Sequence, residues 1–245
     1  MKRKALLIGN SGRPGVDQLK KVKSDIVDFT RFLLKDYGGY WSHHDEIIIM
    51  MNPPKKDLLN TISQLQDESY DFAIVVFSGH GGYKRDTILE INENGDTIKE
   101  SDLAISSRQI SIFDCCRTIE HDPIYESKIE KIIAPLDYDK HLFTIRAEYE
   151  ARIMQAVEQQ VSLYACSIKE FAQDGVYIKN LLTASKDIHS KYKYVKTAHA
   201  EATVMTSNDT LMRQNPDGCF PMCKQSEQLI IGINPSCLKT FGGKL

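Results

Sequence analysis

Two short stretches are apolar almost throughout, and each stops abruptly at residues able to do chemistry. Residues 72 to 77, Phe72-Ala73-Ile74-Val75-Val76-Phe77, run into Ser78-Gly79-His80-Gly81-Gly82. Residues 110 to 113, Ile110-Ser111-Ile112-Phe113, run into Asp114-Cys115-Cys116-Arg117. A strand with apolar side chains at consecutive positions has two faces to bury, and a mostly parallel sheet with layers on both sides provides that burial. In such a sheet the carboxyl ends of neighbouring strands line one crevice. The expectation is an α/β fold that brings an imidazole and a thiol together there.

That pairing is what a cysteine nucleophile needs. A free thiol, with a pKa of about 8.5, is only slightly ionised at neutral pH, so a neighbouring imidazole or positive charge must favour the thiolate. His80 can do this and later protonate a leaving amine. Gly79, Gly81 and Gly82 permit a tight turn and close approach of a substrate backbone, with main-chain N–H groups free to meet an oxyanion.

The Ser78-Gly79-His80-Gly81 turn after one core strand and Asp114-Cys115-Cys116-Arg117 after the next resemble the His and Cys motifs of the caspase, metacaspase and bacterial orthocaspase superfamily. His80 and Cys116 stand about 35 residues apart, against roughly 50 in the caspase signature, so the intervening segment is shortened. The metacaspase pattern Asp-x-Cys makes Cys116 the nucleophile and leaves Cys115 at the x position. The resemblance implies a single caspase-like peptidase domain over residues 1 to 245. Its expected architecture is a mostly parallel six-stranded sheet with helices on both faces and a small β-hairpin. It assigns oxyanion donors to the amides around Gly81 and Cys116.

The rest of the chain supports one domain. Its 245 residues carry a net charge of −2 and no basic tract interleaved with aromatics, so nucleic-acid binding is not expected. No apolar run reaches membrane-spanning length, and Met1-Lys2-Arg3-Lys4 leads into a strand without a cleavage signal. Six cysteines are too few for a disulfide scaffold of this size, which points to a reducing, cytoplasmic setting. Cys219 and Cys223, with Cys237 further on, lack the second pair or the His that zinc requires, so no metal site is expected.

Residues 4 to 10 form a first strand, and the glycine-rich turn after it lacks a P-loop ending. Leu19, Val22, Ile26, Phe29 and Leu33 recur at helical spacing within residues 16 to 37. A strand at 47 to 50 and a helix opened by Pro53-Pro54 then lead to the His80 strand, giving β-α-β-α-β. Residues 87 to 98 form a hairpin around Asn94-Gly95. The short interval between Leu103 and Gln109 leaves no room for the long helix the superfamily has here, so one sheet face is expected to be less covered. Residues 118 to 146 are irregular, a length of loop that is usually functional or disordered. A helix at 147 to 160, a strand at 161 to 167 with Cys166 in the core, helices from 175 and over 197 to 211, and a last strand at 229 to 235 complete the six-stranded sheet.

Metacaspases, by the same resemblance, cut after Arg or Lys using the Asp of Asp-x-Cys, here Asp114, and an Asp on the first helix, here Asp25. Arg13 lies near where a caspase arginine holds a P1 aspartate and supplies the alternative pocket. Lys128, Lys131, Lys140 and Arg146 are candidate self-cleavage points, unless the segment is simply a solvated charged loop. No cofactor is expected. Calcium stimulation is implied by the metacaspase likeness, although no local cluster has the character of a calcium loop. The partners expected are a protein or peptide substrate and an activating protein, since no recruitment domain is apparent. Bacterial defence or cell death is the setting by analogy. The competing function is a catalytically silent caspase-like scaffold.

Overall fold

The computed structural model describes residues 1–118 and 140–241 of the protein. In chain order, β1 (Arg3–Gly9) leads to α1 (Val22–Leu34), α2 (His43–Glu46), β2 (Ile47–Met51), α3 (Lys55–Asp67) and β3 (Phe72–Ser78). Three short strands follow, β4 (Gly81–Lys84), β5 (Asp86–Glu90) and β6 (Thr97–Lys99), before the central β7 (Arg108–Asp114). The remainder is α4 (Lys140–Gln155), β8 (Gln159–Tyr164), α5 (Tyr177–Lys186), β9 (Tyr192–Tyr194), α6 (Val195–Asp209), β10 (Asp217–Cys219) and β11 (Ile230–Ile233).

The main sheet has the strand order β10-β8-β7-β3-β1-β2. Five strands are parallel, and β10 runs antiparallel on the β8 edge. The chain moves outward from β1 to β2, then returns to the other side of β1 with β3. That reversal opens a crevice between the carboxyl ends of β1 and β3. Register aligns the ends of three strands: Gly9 is opposite Ser78, and Ser78 is opposite Asp114.

Alternation along β3 and β7 divides their side chains between two cores. Ile74, Val76, Ile110 and Ile112 face one side, with Phe29, Phe32, Tyr149, Tyr177 and Leu181 from α1, α4 and α5. Ala73, Val75, Phe77 and Phe113 face the other, with Leu58, Ile62 and Leu65 of α3. No long helix lies between Leu103 and Gln109, as expected. The second face is nonetheless covered: Leu89 and Ile98 of the small sheet, Ile91 just after β5, Leu103 of a 3₁₀ turn and Ile105 beyond it are all buried against it.

The expected hairpin is present as β5 and β6, and the glycine run after His80 adds β4 as a third antiparallel strand paired with β5. Two expectations need correction. The 229 to 235 strand is buried but does not join the main sheet. As β11 it pairs with β9 in a separate two-stranded sheet, and β10 takes the sixth place. The irregular segment ends earlier than residue 146, since α4 begins at Lys140, with Ile145, Tyr149 and Ile153 stepping by four onto the core. Arg146 is therefore helical. Its guanidinium bonds Glu46 and Glu150, the same carboxylates that face buried Arg3. A peptidase binds an extended chain, so this part of the helix would have to open before Arg146 could be cut. Lys140 is the first residue of α4, and Lys128 and Lys131 lie outside the described residues. Among the described residues no helix is long and apolar enough to cross a membrane.

Candidate active site

A cavity of about 270 Å³ opens at the carboxyl ends of β3 and β7, lined by Leu19, Ser78, Gly79, His80, Asp114, Cys115, Cys116, Phe171, Ala172, Asp174 and Gly175. Two residues nominated from distant parts of the sequence, His80 and Cys116, thus face one space. Three loops shape it: the one after β1, the turn after β3 and the segment after β8.

The strand alternation separates the side chains of the two cysteines at the cavity wall. Asp114 is the last residue of β7, so Cys115 turns to the opposite face and packs with Phe77 and Phe113 at 2% exposure. Burial pushes its thiol well above the ordinary range. Gly81 must be glycine here, because a Cβ would sit 2.8 Å from the Cys115 sulfur. Cys116, one residue further, is half-buried. Its Sγ accepts the Ala172 N–H at 3.4 Å and lies 3.8 Å from the Ala172 carbonyl oxygen. Burial raises its pKa, and the Asp114 charge adds to that, while the Ala172 amide opposes them. The net effect favours the thiol over the thiolate. Cys166 is fully buried, its Sγ directed at the Cys115 and Glu170 carbonyls.

His80 is oriented from the loop after β1. Its Nε2 lies 2.7 Å from the Asp17 carbonyl oxygen. A carbonyl can only accept, so Nε2 carries the proton and Nδ1 is the nitrogen with a free lone pair. That tautomer leaves the ring able to act as a base. Gly12, at φ +70°, presses against the ring, and a Cβ there would stand 2.5 Å from Nε2.

The cavity lining also includes acidic residues. Ser78 and Asp114 share a face of the sheet, toward α1 and α5. Ser78 Oγ donates to Asp25 Oδ2 at 3.0 Å, placing Asp25 of α1 one hydroxyl behind the wall. Asp114 Oδ2 accepts the Ile178 N–H in the first turn of α5 at 3.2 Å. Both carboxylates are almost fully enclosed, at 5% and 6% exposure. Burial pushes Asp25 up to about 7, with Asp174 and Asp28 adding repulsion and Ser78 and Lys21 opposing. Burial also pushes Asp114 up to about 8, with repulsion from Asp25 and Asp174 only partly offset by the Ile178 amide. Arg13 is not brought in with them. Its guanidinium and backbone N–H bond the Asp17 carboxylate outside the cavity lining.

Sequence reading missed four contributors. Ser78 was visible within the Ser-Gly-His-Gly turn, but nothing in the sequence paired it with Asp25. Asp174 accepts the Lys20 and Lys21 N–H groups at 2.7 and 3.0 Å, capping α1 from across the cleft where Lys21 offers no side-chain cap. Its neighbours Ala172 and the 72% exposed Phe171 complete the wall. The sequence signal for this loop is its place between a core strand and the helix from 175, with Asp174-Gly175 ahead of an aromatic and paired leucines, a pattern similar to the superfamily's cleft-bordering loop, but it assigned no role to these side chains.

An α/β sheet with this crevice, and a His and a Cys at adjacent strand ends, defines a protein of the cysteine-peptidase kind. A family model described as the caspase domain matches residues 2–228, and the chain belongs to that family. The crystal structure of caspase-1 from Spodoptera frugiperda superposes with a TM-score of 0.58. That match covers 89% of this chain and 86% of that one at 11% identity, so the likeness is one of fold. No curated protein matches the chain in sequence.

Proposed function

We propose that the protein is a cysteine endopeptidase that cleaves peptide bonds after Arg or Lys. The observation carrying this reading is the cavity itself. His80, Cys116, Asp114 and Asp174 all line it, and no Lys or Arg is among the described lining residues. Leu19, Phe171 and Ala172 offer apolar wall for an aliphatic stem, and the buried carboxylates offer a terminus for its cation.

In the proposed reaction a peptide carbonyl enters beside Cys116, and His80 Nδ1 takes the thiol proton as the sulfur attacks. Backbone N–H groups around Gly81 and Cys116 receive the oxyanion. The imidazolium, still donating Nε2–H to Asp17, then protonates the leaving amine. Water attacks the thioester with His80 again as base, releasing the acid and restoring the thiol.

A second reading is favoured by the engagement of Cys116 with Ala172. In it the peptidase is silent until a partner or substrate shifts the loop after β8. The reading carries a reducing, cytoplasmic setting, in which the cysteines stay free, and leaves self-cleavage to Lys128, Lys131 or Lys140.

Fluorogenic peptides differing only at P1 test the function. Turnover after Arg or Lys, absent in Cys116→Ala, is the expected result. Faster turnover after Asp would overturn the specificity, and no turnover or thiol-probe labelling, even with candidate partners added, would leave the scaffold reading.

A further inference from the structure

The bond from His80 to the Asp17 carbonyl is only as firm as the loop that carries Asp17. That loop lies between β1 and α1, and its turn has left-handed glycines at Gly12 (φ +70°) and Gly15 (φ +78°). Glycine lowers the cost of such a turn but does not hold it in one shape. The holding is done by a local clip. Asp17 Oδ1 accepts the Arg13 backbone N–H at 2.6 Å, and Asp17 Oδ2 accepts Arg13 Nε at 3.0 Å, with Nη2 on the same oxygen. The Val16 and Asp17 N–H groups return to the Arg13 carbonyl at 3.1 and 3.3 Å. The residue whose main chain grips the imidazole is thus the one whose side chain is gripped by Arg13.

We propose that Arg13 is a positioning residue: by clamping Asp17 it keeps the Asp17 carbonyl on His80 Nε2 and so keeps Nδ1 as the basic nitrogen. The inference rests on His80 acting as the base of the proposed peptidase. It gives Arg13 a role different from binding a P1 aspartate. A planar guanidinium suits the task because it forms more than one directed bond to a carboxylate, whereas a lysine ammonium binds as a point charge. The Asp17 pKa stays low despite partial burial because the Arg13 bonds and the nearby His80 outweigh that burial. Glu90 is the other carboxylate near the ring, its backbone N–H bonded to the His80 carbonyl at 3.0 Å.

The test compares wild type with Arg13→Ala, Arg13→Lys, Asp17→Asn and the Arg13→Ala/Asp17→Asn double variant. The His80 tautomer is read from ring-nitrogen NMR shifts, and kcat and KM are measured on a basic-P1 peptide across pH. In wild type the Nε2–H tautomer dominates. Arg13→Ala should mix the tautomers and lower kcat about tenfold or more with KM nearly unchanged, in line with the cost of small misplacements in a catalytic group. Arg13→Lys should restore part of the loss, and the double variant should be no worse than Arg13→Ala. An unchanged tautomer in Arg13→Ala overturns the proposal. A rise in KM at constant kcat also overturns it, since that would put Arg13 in substrate binding. If wild type cleaves nothing, the functional reading fails, but the tautomer comparison still decides the clip.

Discussion

Replacing Asp114 by Asn removes one charge while keeping shape and an oxygen for the Ile178 N–H, so it isolates what the carboxylate contributes. A buried acid with its pKa pushed up to about 8 holds its proton more tightly folded than unfolded. The stability from that proton is fully present below the unfolded pKa of about 4 and is lost as pH rises through about 8. A shift of about four units at about 1.4 kcal/mol per unit caps the penalty above pH 8 at about 6 kcal/mol, of which about 2–5 kcal/mol remains once the charged site relaxes. Asp114→Asn escapes it. The variant should therefore melt roughly 5 to 15 °C above wild type at pH 8.5 and within a few degrees of it at pH 5. The same change should damage specificity. Removing one partner of a desolvated ion pair costs about 3–5 kcal/mol, so the preference for P1 Arg over its neutral isostere citrulline should fall about 100-fold or more. Differential scanning fluorimetry across pH and paired kcat/KM measurements provide both readings. A variant that keeps its Arg preference, with a melting curve parallel to wild type from pH 5 to 8.5, would refute the assignment of Asp114 as a buried, cation-binding acid.

Three further outcomes follow from the same geometry. Because Asp25 and Asp114 titrate near 7 and 8, KM for a basic-P1 peptide should fall between pH 6 and 8.5 while that for a neutral P1 stays level; parallel profiles would show that these acids do not meet the substrate. A thiol-reactive peptide probe should label wild type and Cys115→Ala but not Cys116→Ala, whereas loss of labelling in Cys115→Ala alone would reverse the choice of nucleophile. Gly12→Ala should lower kcat about 100-fold, since the added methyl falls 2.5 Å from His80 Nε2 in a left-handed position that disfavours side chains; near-normal turnover would mean that the ring does not sit against this loop.

The parts legible in the sequence were those written as continuous burial or as a local motif. The runs at 72 to 77 and 110 to 113 became β3 and β7 because strands apolar on both faces have few other places to go. The acidic part of the lining was half legible. Asp114 stood beside the nucleophile and Asp25 at a helix position, yet the Ser78 hydroxyl joining them spans 53 residues of chain. The edge strand β10 was invisible. Asp217-Gly218-Cys219 has neither alternation nor branched side chains, and it is a strand only because β8 offers an open edge. The start of α4 was obscured for a different reason. Arg146, Glu148, Glu150 and Arg152 crowd its sequence with charge, while the buried stripe uses only every fourth residue. Arg13 illustrates the limit most directly: its position suggested substrate contact, and the partner that redirects it, Asp17, is one helical turn away.

The buried acids and the resting thiol answer to one condition. Asp25 accepts from the Ser78 hydroxyl and Asp114 from the Ile178 amide, and burial together with mutual repulsion favours keeping protons on both. Cys116 is likewise held as a thiol by burial, and once Asp114 ionises, above about pH 8, its charge adds to that. A basic side chain entering the cavity changes both at once. It makes ionisation of the acids favourable, and its positive charge offsets the Asp114 field at the sulfur. Under the proposed function, substrate binding and nucleophile activation are therefore linked through Asp114. A neutral P1 residue should lose more in the rate of thiol alkylation by a peptide electrophile than its weaker binding alone accounts for. Measuring inactivation rate against concentration for Arg and citrulline electrophiles separates the two contributions. Equal maximal rates at saturation would show that Asp114 sets affinity only.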